Sequence, residues 1–338
     1  MRAAVYSLAM KSLLSVVAAV ILPVPFLVAA DKPATPAPVD KPVLKIIPGQ
    51  VIVPTADGLM HRIWGELVSL DLTTRTGKFR QESTDQVMSF TVMPYAELLH
   101  HATFGDLQDF RVGERAIFRL HQNDTGDWVW LTYIQDEMNF LNGHKEYYYV
   151  DRIDAGKGEL ECTDANFDKS FVREKGILIE TDKETRYWKQ GQPVKFSDIQ
   201  IGDKLRTKTH GVGKGKVRVA WEVFLDDESL QKFQAEQKVA EAKRLQQEGS
   251  PGYVDKADGA NVDLTLFQES GELSHKLKPG MKVRLAPAEV DRKAVGTPVT
   301  GSVTAAKMAG NLGKVSITLD SADAKLVVGK VARLWEAP

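Results

Sequence analysis

The sequence predicts a mainly β protein, built from small β-barrels in tandem with one linking α-helix. Three observations indicate this fold class: short β-rich runs separated by turn residues, an internal repeat that puts glycine before a strand, and one long segment with a helical pattern. Runs of this length, bounded by Gly, Pro, Asp and Thr, are typical of small barrels and sandwiches.

The internal repeat joins three segments, which are Phe104 to Leu120 (FGDLQDFRVGERAIFRL), Lys195 to Lys208 (KFSDIQIGDKLRTK) and, more weakly, Leu277 to Leu285 (LKPGMKVRL). Each segment has a glycine just before a predicted strand: Gly113, Gly202 and Gly280. Glycine adopts positive φ without steric cost. We therefore predict a turn with positive φ at each of these glycines.

The repeats and their flanking strands fit three β-modules, which we assign to residues 44–149, 150–225 and 250–338. The linking helix is predicted at residues 226–249, between the second and third modules. Its first residues are acidic, which suits the positive end of a helix dipole, and Gly249 can terminate it. Its apolar stripe is thin, so we expect a semi-rigid spacer that leans on a neighbouring barrel.

The first 30 residues have the pattern of an export signal. Arg2 and Lys11 are the only charged residues in this stretch, and an apolar run follows them. Small residues end at Ala30, so we expect cleavage after Ala30 and a periplasmic or secreted protein that contacts the membrane only transiently. The alternative is an uncleaved anchor, because Leu13 to Ala30 approaches the roughly 20 apolar residues of a membrane span.

The composition narrows the classes of partner. Residues 31–43 alternate Pro, Ala and charge, which predicts an extended linker. The net charge of −1 gives no general affinity for double-stranded nucleic acid. The single cysteine, Cys162, allows no intramolecular disulfide and lies far from the cleavage point where a lipoprotein needs its cysteine. The modules are therefore expected to be held by apolar burial alone.

Two family resemblances follow from these motifs. The opening strands WGELVSLDL (from Trp64) and KGELECTD (from Lys157), each followed by a DL or DI segment and then VG or IG, resemble bacterial exported OB-fold-like domains of unknown function. That resemblance implies two five-stranded barrels and carries no catalytic residue. The third module, with LKPGMKVRLAP, resembles the β-barrel of periplasmic membrane-fusion adaptors. The helical hairpin and lipoyl-like halves of such adaptors have no counterpart in the sequence.

Aromatic residues are concentrated in or beside the first module, and the candidate ligand-binding residues are Trp64, Trp128, Trp130 and Tyr148. Because side chains alternate along a strand, Trp128 and Trp130 are expected to share one face. If that face is open, it is a stacking platform such as OB-folds use for sugars or bases. If it faces the core, the aromatics are packing residues, which their large buried area favours.

A glycine-rich segment, HGVGKGKVR, is a second candidate site. Its backbone N–H groups and the side chains of His210, Lys214, Lys216 and Arg218 are candidates for an anionic ligand. The glycine spacing excludes a P-loop. A hairpin tip with solvated lysines is the simpler interpretation.

No metal site, cofactor or catalytic residue is predicted. Asp164, Asn166 and Asp168 imitate half of a calcium loop, but a polar turn explains them. His100 and His101 follow PYAELL, which predicts a short helix. Adjacent helical residues point about 100° apart, so the two histidines would not readily share a metal. No nucleophile motif is present, and we expect the protein not to be an enzyme.

These features favour a non-enzymatic envelope protein whose barrels bind or scaffold a protein or polysaccharide partner. For a protein partner, we expect a strand added at an open barrel edge. The alternative is binding of an oligosaccharide or single-stranded polymer on the aromatic face of the first module.

Overall fold

The computed structural model describes residues 61–210, 217–321 and 325–337. The predicted mainly β class is confirmed, with three closed small barrels and few helices. The segments predicted to be an export signal and a linker lie outside the described residues, as do the start of the predicted first module, Lys214 and Lys216. None of the helices within the described ranges is long and apolar enough to cross a membrane.

The first barrel is built from six strands: β1 (His61–Asp71), β2 (Thr76–Gln81), β3 (Val87–His100), β4 (Thr103–Phe104), β5 (Arg115–Gln122) and β6 (Trp128–Asp136). β1, β2 and β3 form an antiparallel meander. β3 then runs parallel to β6, and β5 lies between β6 and β1 to close the barrel. Phenylalanines fill the core, where Phe79 and Phe118 stack with ring centroids 4.1 Å apart.

The second barrel follows helix α1 (Glu137–His144) and contains β7 (Glu146–Asp154), β8 (Glu159–Asn166), β9 (Val172–Glu180), β10 (Arg186–Lys189), β11 (Gln192–Val194), β12 (Lys204–His210) and β13 (Val217–Phe224). It repeats the path of the first barrel, since β7 to β9 form a meander and β9 pairs in parallel with β13. The predicted module boundary after residue 149 falls inside β7. The chain passes between the two barrels at α1 instead.

The third barrel contains β14 (Ser250–Asp258), β15 (Asn261–Leu266), helix α3 (Gly271–Lys276), β16 (Lys282–Pro287), β17 (Val299–Ala309), β18 (Leu312–Leu319) and β19 (Val331–Glu336). Its six strands close in the order β14, β15, β18, β17, β16, β19. Every neighbouring pair is antiparallel, so its path differs from that of the first two barrels.

The glycine turns have the predicted conformation. Gly113, Gly202 and Gly280 have φ of +92°, +93° and +91°. The N–H of each also donates to the carbonyl of another strand, at 2.6 Å to Leu67, 2.8 Å to Val150 and 2.8 Å to Val303 respectively. Each turn therefore anchors the start of the next strand to the wall of its own barrel.

Helix α2 (Asp227–Glu248) is present where the sequence predicts it, but it is docked rather than a spacer. Phe233 packs against the second barrel at Trp188, with ring centroids 4.9 Å apart. Gln237 Nε2 donates to Asp109 Oδ2 of the first barrel at 3.0 Å. Arg333 of the third barrel donates to Glu248 at 3.2 Å. The thin apolar stripe was misleading because much of the docking uses polar side chains.

The first and third barrels are also in direct contact. Tyr95 and Tyr253 pack with ring centroids 6.1 Å apart. Asp106 lies between Arg75, at 3.0 Å, and Arg292, at 3.9 Å. Burial acts to raise the pKa of Asp106, but the charges of Arg292 and Arg75 hold that pKa below its ordinary value. Asp106 is therefore a half-buried anion shared by the two barrels.

The junction between α2 and the third barrel gives a prediction. Gly249 has φ +83°, and a Cβ there would lie 2.5 Å from the ring of Trp335. Gly280 has a similar φ, but a Cβ there would meet nothing within 4 Å. We expect Gly280→Ala to cost about 1–2 kcal/mol of unfolding free energy for backbone strain. Gly249→Ala should cost a further 1–3 kcal/mol, roughly, for overpacking. Urea unfolding measures both losses, and equal losses for the two variants would contradict the close packing of Gly249 against Trp335.

Candidate functional site

A seam of buried charge joins the first two barrels. Lys208 of β12 contacts Glu114 at 2.9 Å and lies 3.9 Å from Asp136. Burial acts to lower the pKa of Lys208, but the charges of Glu114 and Asp136 more than offset it, and the net pKa is raised. Burial and the charge of Lys208 hold the pKa of His100 well below its usual value. The seam therefore contains an ammonium group, its carboxylates and a neutral imidazole.

The structure corrects the helix predicted at PYAELLHH. These residues belong to strand β3, in which the buried residues Ala96, Leu98 and His100 alternate with less buried ones. Alternation with a period of two is the pattern of a strand. His101 follows at the end of the strand with φ +47°.

Three potential metal ligands meet in the seam. Donor atoms of His100, His101 and Asp136 lie within 4.8 Å of one another. However, His100 Nε2 faces the Lys208 ammonium at 2.5 Å, and Asp136 Oδ2 accepts the N–H of His101 at 2.8 Å. A metal ion here would meet a positive charge, so we assign the group to the structural seam.

A cavity of about 170 Å³ lies where the first barrel, helix α1 and the second barrel meet. We call it the mouth cavity. Its lining comes from both barrels and from α1: Trp64, Glu82, Arg115, Phe140, Tyr148, Asp164, Arg173, Glu174 and Arg218. Interfaces between domains are common positions for ligand sites.

Glu137 does not line the cavity but bonds to two residues that do, Arg115 and Tyr148. It is fully buried at the start of α1. Its Oε1 accepts from Arg115, at 3.0 Å, and from the Tyr148 hydroxyl, at 2.6 Å. Its Oε2 accepts from the backbone N–H and the hydroxyl of Thr209, at 3.0 and 2.7 Å. One carboxylate thus binds groups from both barrels.

The aromatic wall is formed by Trp64 and Phe140. The Arg115 guanidinium lies 3.7 Å from the centroid of the Trp64 ring, within cation–π range. Phe140 packs edge-on against Trp64, with centroids 5.0 Å apart. Arg115 also bonds to Glu82 at 3.0 Å. The wall is therefore held rigidly from the first barrel and from α1.

Asp164 is the distinctive group of the cavity. It is only 4% exposed. Its Oδ1 has no hydrogen-bond partner within the described part of the chain. Arg173 Nε lies 4.0 Å from the carboxylate, but Arg173 is itself bound to both oxygens of Glu146. Burial, and then the charge of Glu146, raise the pKa of Asp164 to about 7.

The structure brings three of the predicted site residues together. Trp64 and Tyr148, from the aromatic set, line the mouth cavity with Arg218, from the glycine-rich segment. His210, by contrast, stacks on Trp221 with centroids 4.5 Å apart and does not line the cavity.

Trp128 and Trp130 lie elsewhere, on β6. Trp128 packs against the core of the first barrel. A β-bulge opposite His121 and Gln122 falls between the two tryptophans and breaks the expected alternation of side chains. Neither residue lines the mouth cavity.

Sequence reasoning missed the charged half of the site, above all Asp164. The half-calcium-loop pattern assigned Asp164 to a turn, but it belongs to β8. A signal was present in the sequence, since Leu160 and Cys162 alternate with polar residues and Asp164 continues the same spacing of two. Asn166 and Asp168 do stabilise the turn that follows, where the Phe171 N–H donates to Asn166 Oδ1 and the Ser170 N–H to Asp168 Oδ1.

A larger groove, of about 850 Å³, lies between the second half of α2 and the third barrel. It is open to solvent, and its lysines, Lys243 and Lys276, are exposed. Exposed charges discriminate poorly between ligands because water screens them. The mouth cavity, with its buried charges, is the better candidate.

No protein-family model matches the chain, and no curated protein matches it significantly. What the chain does must therefore be inferred from the chemistry of the mouth cavity.

The seam gives a prediction about stability. Lys208→Met leaves Glu114 and Asp136 buried without their cation, so we expect a loss of about 3–5 kcal/mol in unfolding free energy. Lys183 is a matched control because it is exposed and pairs at 4.0 Å with Glu184, which is also exposed. Lys183→Met should change the unfolding free energy by less than about 0.5 kcal/mol. Adding Glu114→Gln to Lys208→Met should recover part of the lost unfolding free energy. If Lys208→Met leaves the unfolding free energy unchanged, the assignment of a buried charged seam is wrong.

Asp164 gives a prediction about pH. Its folded pKa of about 7 lies above its ordinary value of 3.8, so its protonated form favours folding. That contribution is fully present below pH 3.8 and is lost as the pH rises towards 7. We expect Asp164→Asn to stabilise the protein relative to the wild type above neutral pH. The difference in unfolding free energy should grow by up to about 1.4 kcal/mol per pH unit across this window. A difference that does not vary with pH would contradict the raised pKa.

Proposed function

We propose that this chain is a non-enzymatic, exported binding protein that holds a polar group of a protein or polymer partner in the mouth cavity. The observation that carries the proposal is Asp164, a buried carboxyl group without a hydrogen-bond partner for Oδ1 in the described residues, lining a cavity shared by two barrels. Buried polar groups are normally satisfied, and an exception calls for a ligand, water or a functional role.

Rigidity supports a binding role. The seam, α2 and the Asp106 contacts each join one barrel to another. A site formed by two barrels is then preorganised, which lowers the entropic cost of holding a partner.

Barrel closure argues against the strand-addition mode that the sequence suggested. Each main strand of the three barrels has a neighbour on both sides. Among the described strands, only the short β4 and β11 have a single neighbour. Edges of two or three residues offer few backbone groups to an added strand. A partner is therefore expected to enter a cavity rather than extend a sheet.

The resemblance to exported OB-fold-like domains agrees with a binding role. OB-folds are five-stranded Greek-key barrels that bind oligosaccharides and oligonucleotides. The five main strands of each of the first two barrels, closed by one parallel pair, are compatible with that architecture. The export signal remains the basis for proposing a periplasmic or secreted location.

Catalysis is the second candidate, because a buried carboxyl group with a pKa near neutrality suits general acid–base chemistry. Binding is favoured because the neighbouring polar groups are occupied by one another. Glu137 holds Arg115 and Tyr148, and Tyr148 also accepts from Arg218 at 2.6 Å. Turnover of a bound ligand that is lost in Asp164→Asn would favour catalysis instead.

Calorimetric titration of residues 31–338 with wall glycans, wall peptides, other oligosaccharides and short single-stranded nucleic acids tests the proposal. Trp64→Ala should weaken binding of the active ligand roughly tenfold, the size expected for one lost aromatic contact. Trp130→Ala is the matched control and should bind normally. Weaker binding in Trp130→Ala with normal binding in Trp64→Ala would place the ligand on strand β6. That result would contradict the mouth cavity as the binding site. Thermal unfolding of both variants verifies that each is folded.

A further inference from the structure

The charge around the mouth cavity is unbalanced. Among the described residues, the lining and the groups bonded to it place the carboxyl groups of Glu82, Glu137, Glu146 and Asp164 beside the guanidinium groups of Arg115, Arg173 and Arg218. With these seven groups ionised, there is one more negative than positive charge among them, and Glu174 adds a further carboxyl group to the lining. A cavity with this excess favours a cation over an anion.

The arginines are already engaged. Arg115 bonds to Glu82 and Glu137, both at 3.0 Å. Arg173 forms a two-pronged contact with Glu146, at 2.8 and 2.6 Å. Arg218 donates to Tyr148 at 2.6 Å and lies 3.5 Å from Glu174. An anionic ligand would have to compete with these internal acceptors, whereas a cation would meet the unpartnered oxygen of Asp164.

The lining of the mouth cavity suits an organic cation better than a bare metal ion. A metal ion needs several ligand atoms gathered closely around it. Within the described residues, His100, His101 and Asp136 form the group of three potential metal ligands. That group lies in the seam, and none of its members lines the cavity. The mouth cavity offers instead one unsatisfied carboxylate beside the apolar surfaces of Trp64 and Phe140.

We propose that the mouth cavity binds a primary ammonium group on a short alkyl stem, with Asp164 as its counter-ion and with Trp64 and Phe140 packing against the stem. This inference rests on the proposed binding function and names the chemistry of its ligand. An ammonium group donates three hydrogen bonds and accepts none, which suits a site rich in carboxylates. The source is a lysine side chain of the partner or a small free amine.

Binding should depend on pH because the ammonium group requires Asp164 to be ionised. The charged and titratable groups around Asp164 come from α1, β7, β9 and β13: Glu137, Glu146, Tyr148, Arg173, Glu174 and Arg218. The carboxyl group of Asp164 itself has a pKa of about 7. Affinity should therefore fall about tenfold for each pH unit below neutrality. A role for Asp164 in folding alone would not give this dependence.

The probe is n-butylammonium chloride, titrated into residues 31–338 by calorimetry, with potassium chloride replaced to keep the ionic strength constant. We expect saturable binding that weakens below pH 7 and is at least about tenfold weaker in Asp164→Asn. Asp168→Asn is the matched control, because Asp168 is exposed in the turn that follows β8 and bonds to Ser170. It should bind like the wild type.

Three comparisons complete the test. A short peptide with a single lysine that binds more tightly than n-butylammonium would identify a partner lysine, and the opposite order would identify a small amine. Tighter binding of acetate, or unchanged n-butylammonium binding in Asp164→Asn, would overturn the inference. If n-butylammonium does not bind while Trp64→Ala still weakens binding of a wall ligand, the ammonium inference is wrong but the proposed binding function is supported.

Discussion

The junction between the first two barrels is built around one buried carboxyl group, that of Glu137. An isolated charge in a protein interior is strongly unfavourable, and it is tolerated only when its hydrogen-bonding capacity is filled. Arg115 supplies one bond from the first barrel, and Tyr148 and Thr209 supply three from the second. None of these donors is available to Glu137 unless both barrels are folded and α1 lies between them. The packing of the first barrel against the second is therefore coupled to the hydrogen bonds of Glu137.

The same requirement explains why the cavity is a reasonable place for a ligand. The charged side chains bonded to Glu137 lie next to the aromatic rings of Trp64 and Phe140, and the two barrels meet there without filling all of the space. Asp164 projects into that space from an inner position of β8, where an apolar residue would otherwise extend the core. The site is thus a consequence of joining two barrels through charge, and neither barrel contains it alone.

The features that depend on local backbone chemistry could be predicted from the sequence. The positive φ of Gly113, Gly202 and Gly280 is one example, and the position of α2 is another, since capping residues and turn residues act within a few positions of themselves. Features that depend on contacts between barrels could not. The docking of α2 uses Gln237, which looks like a surface residue until Asp109 of the first barrel is brought beside it. PYAELLHH has a composition that favours a helix, but its buried alternation in β3 is imposed by the neighbouring strands. Trp64 and Tyr148 belong to the aromatic set and Arg218 to the glycine-rich segment, and only the closed barrels show that all three line one cavity.

The docking of α2 also limits how such a chain can change over generations. Proteins made of repeated domains commonly gain, lose or exchange a domain by recombination, because each domain folds independently of its neighbours. Here a crossover at either end of α2 would separate polar partners that lie in different barrels, and the new neighbour would have to supply a carboxylate for Arg333 or an acceptor for Gln237. The unit that can be inherited intact is therefore the set of three barrels with their helix, although each barrel on its own has the size of a separate domain.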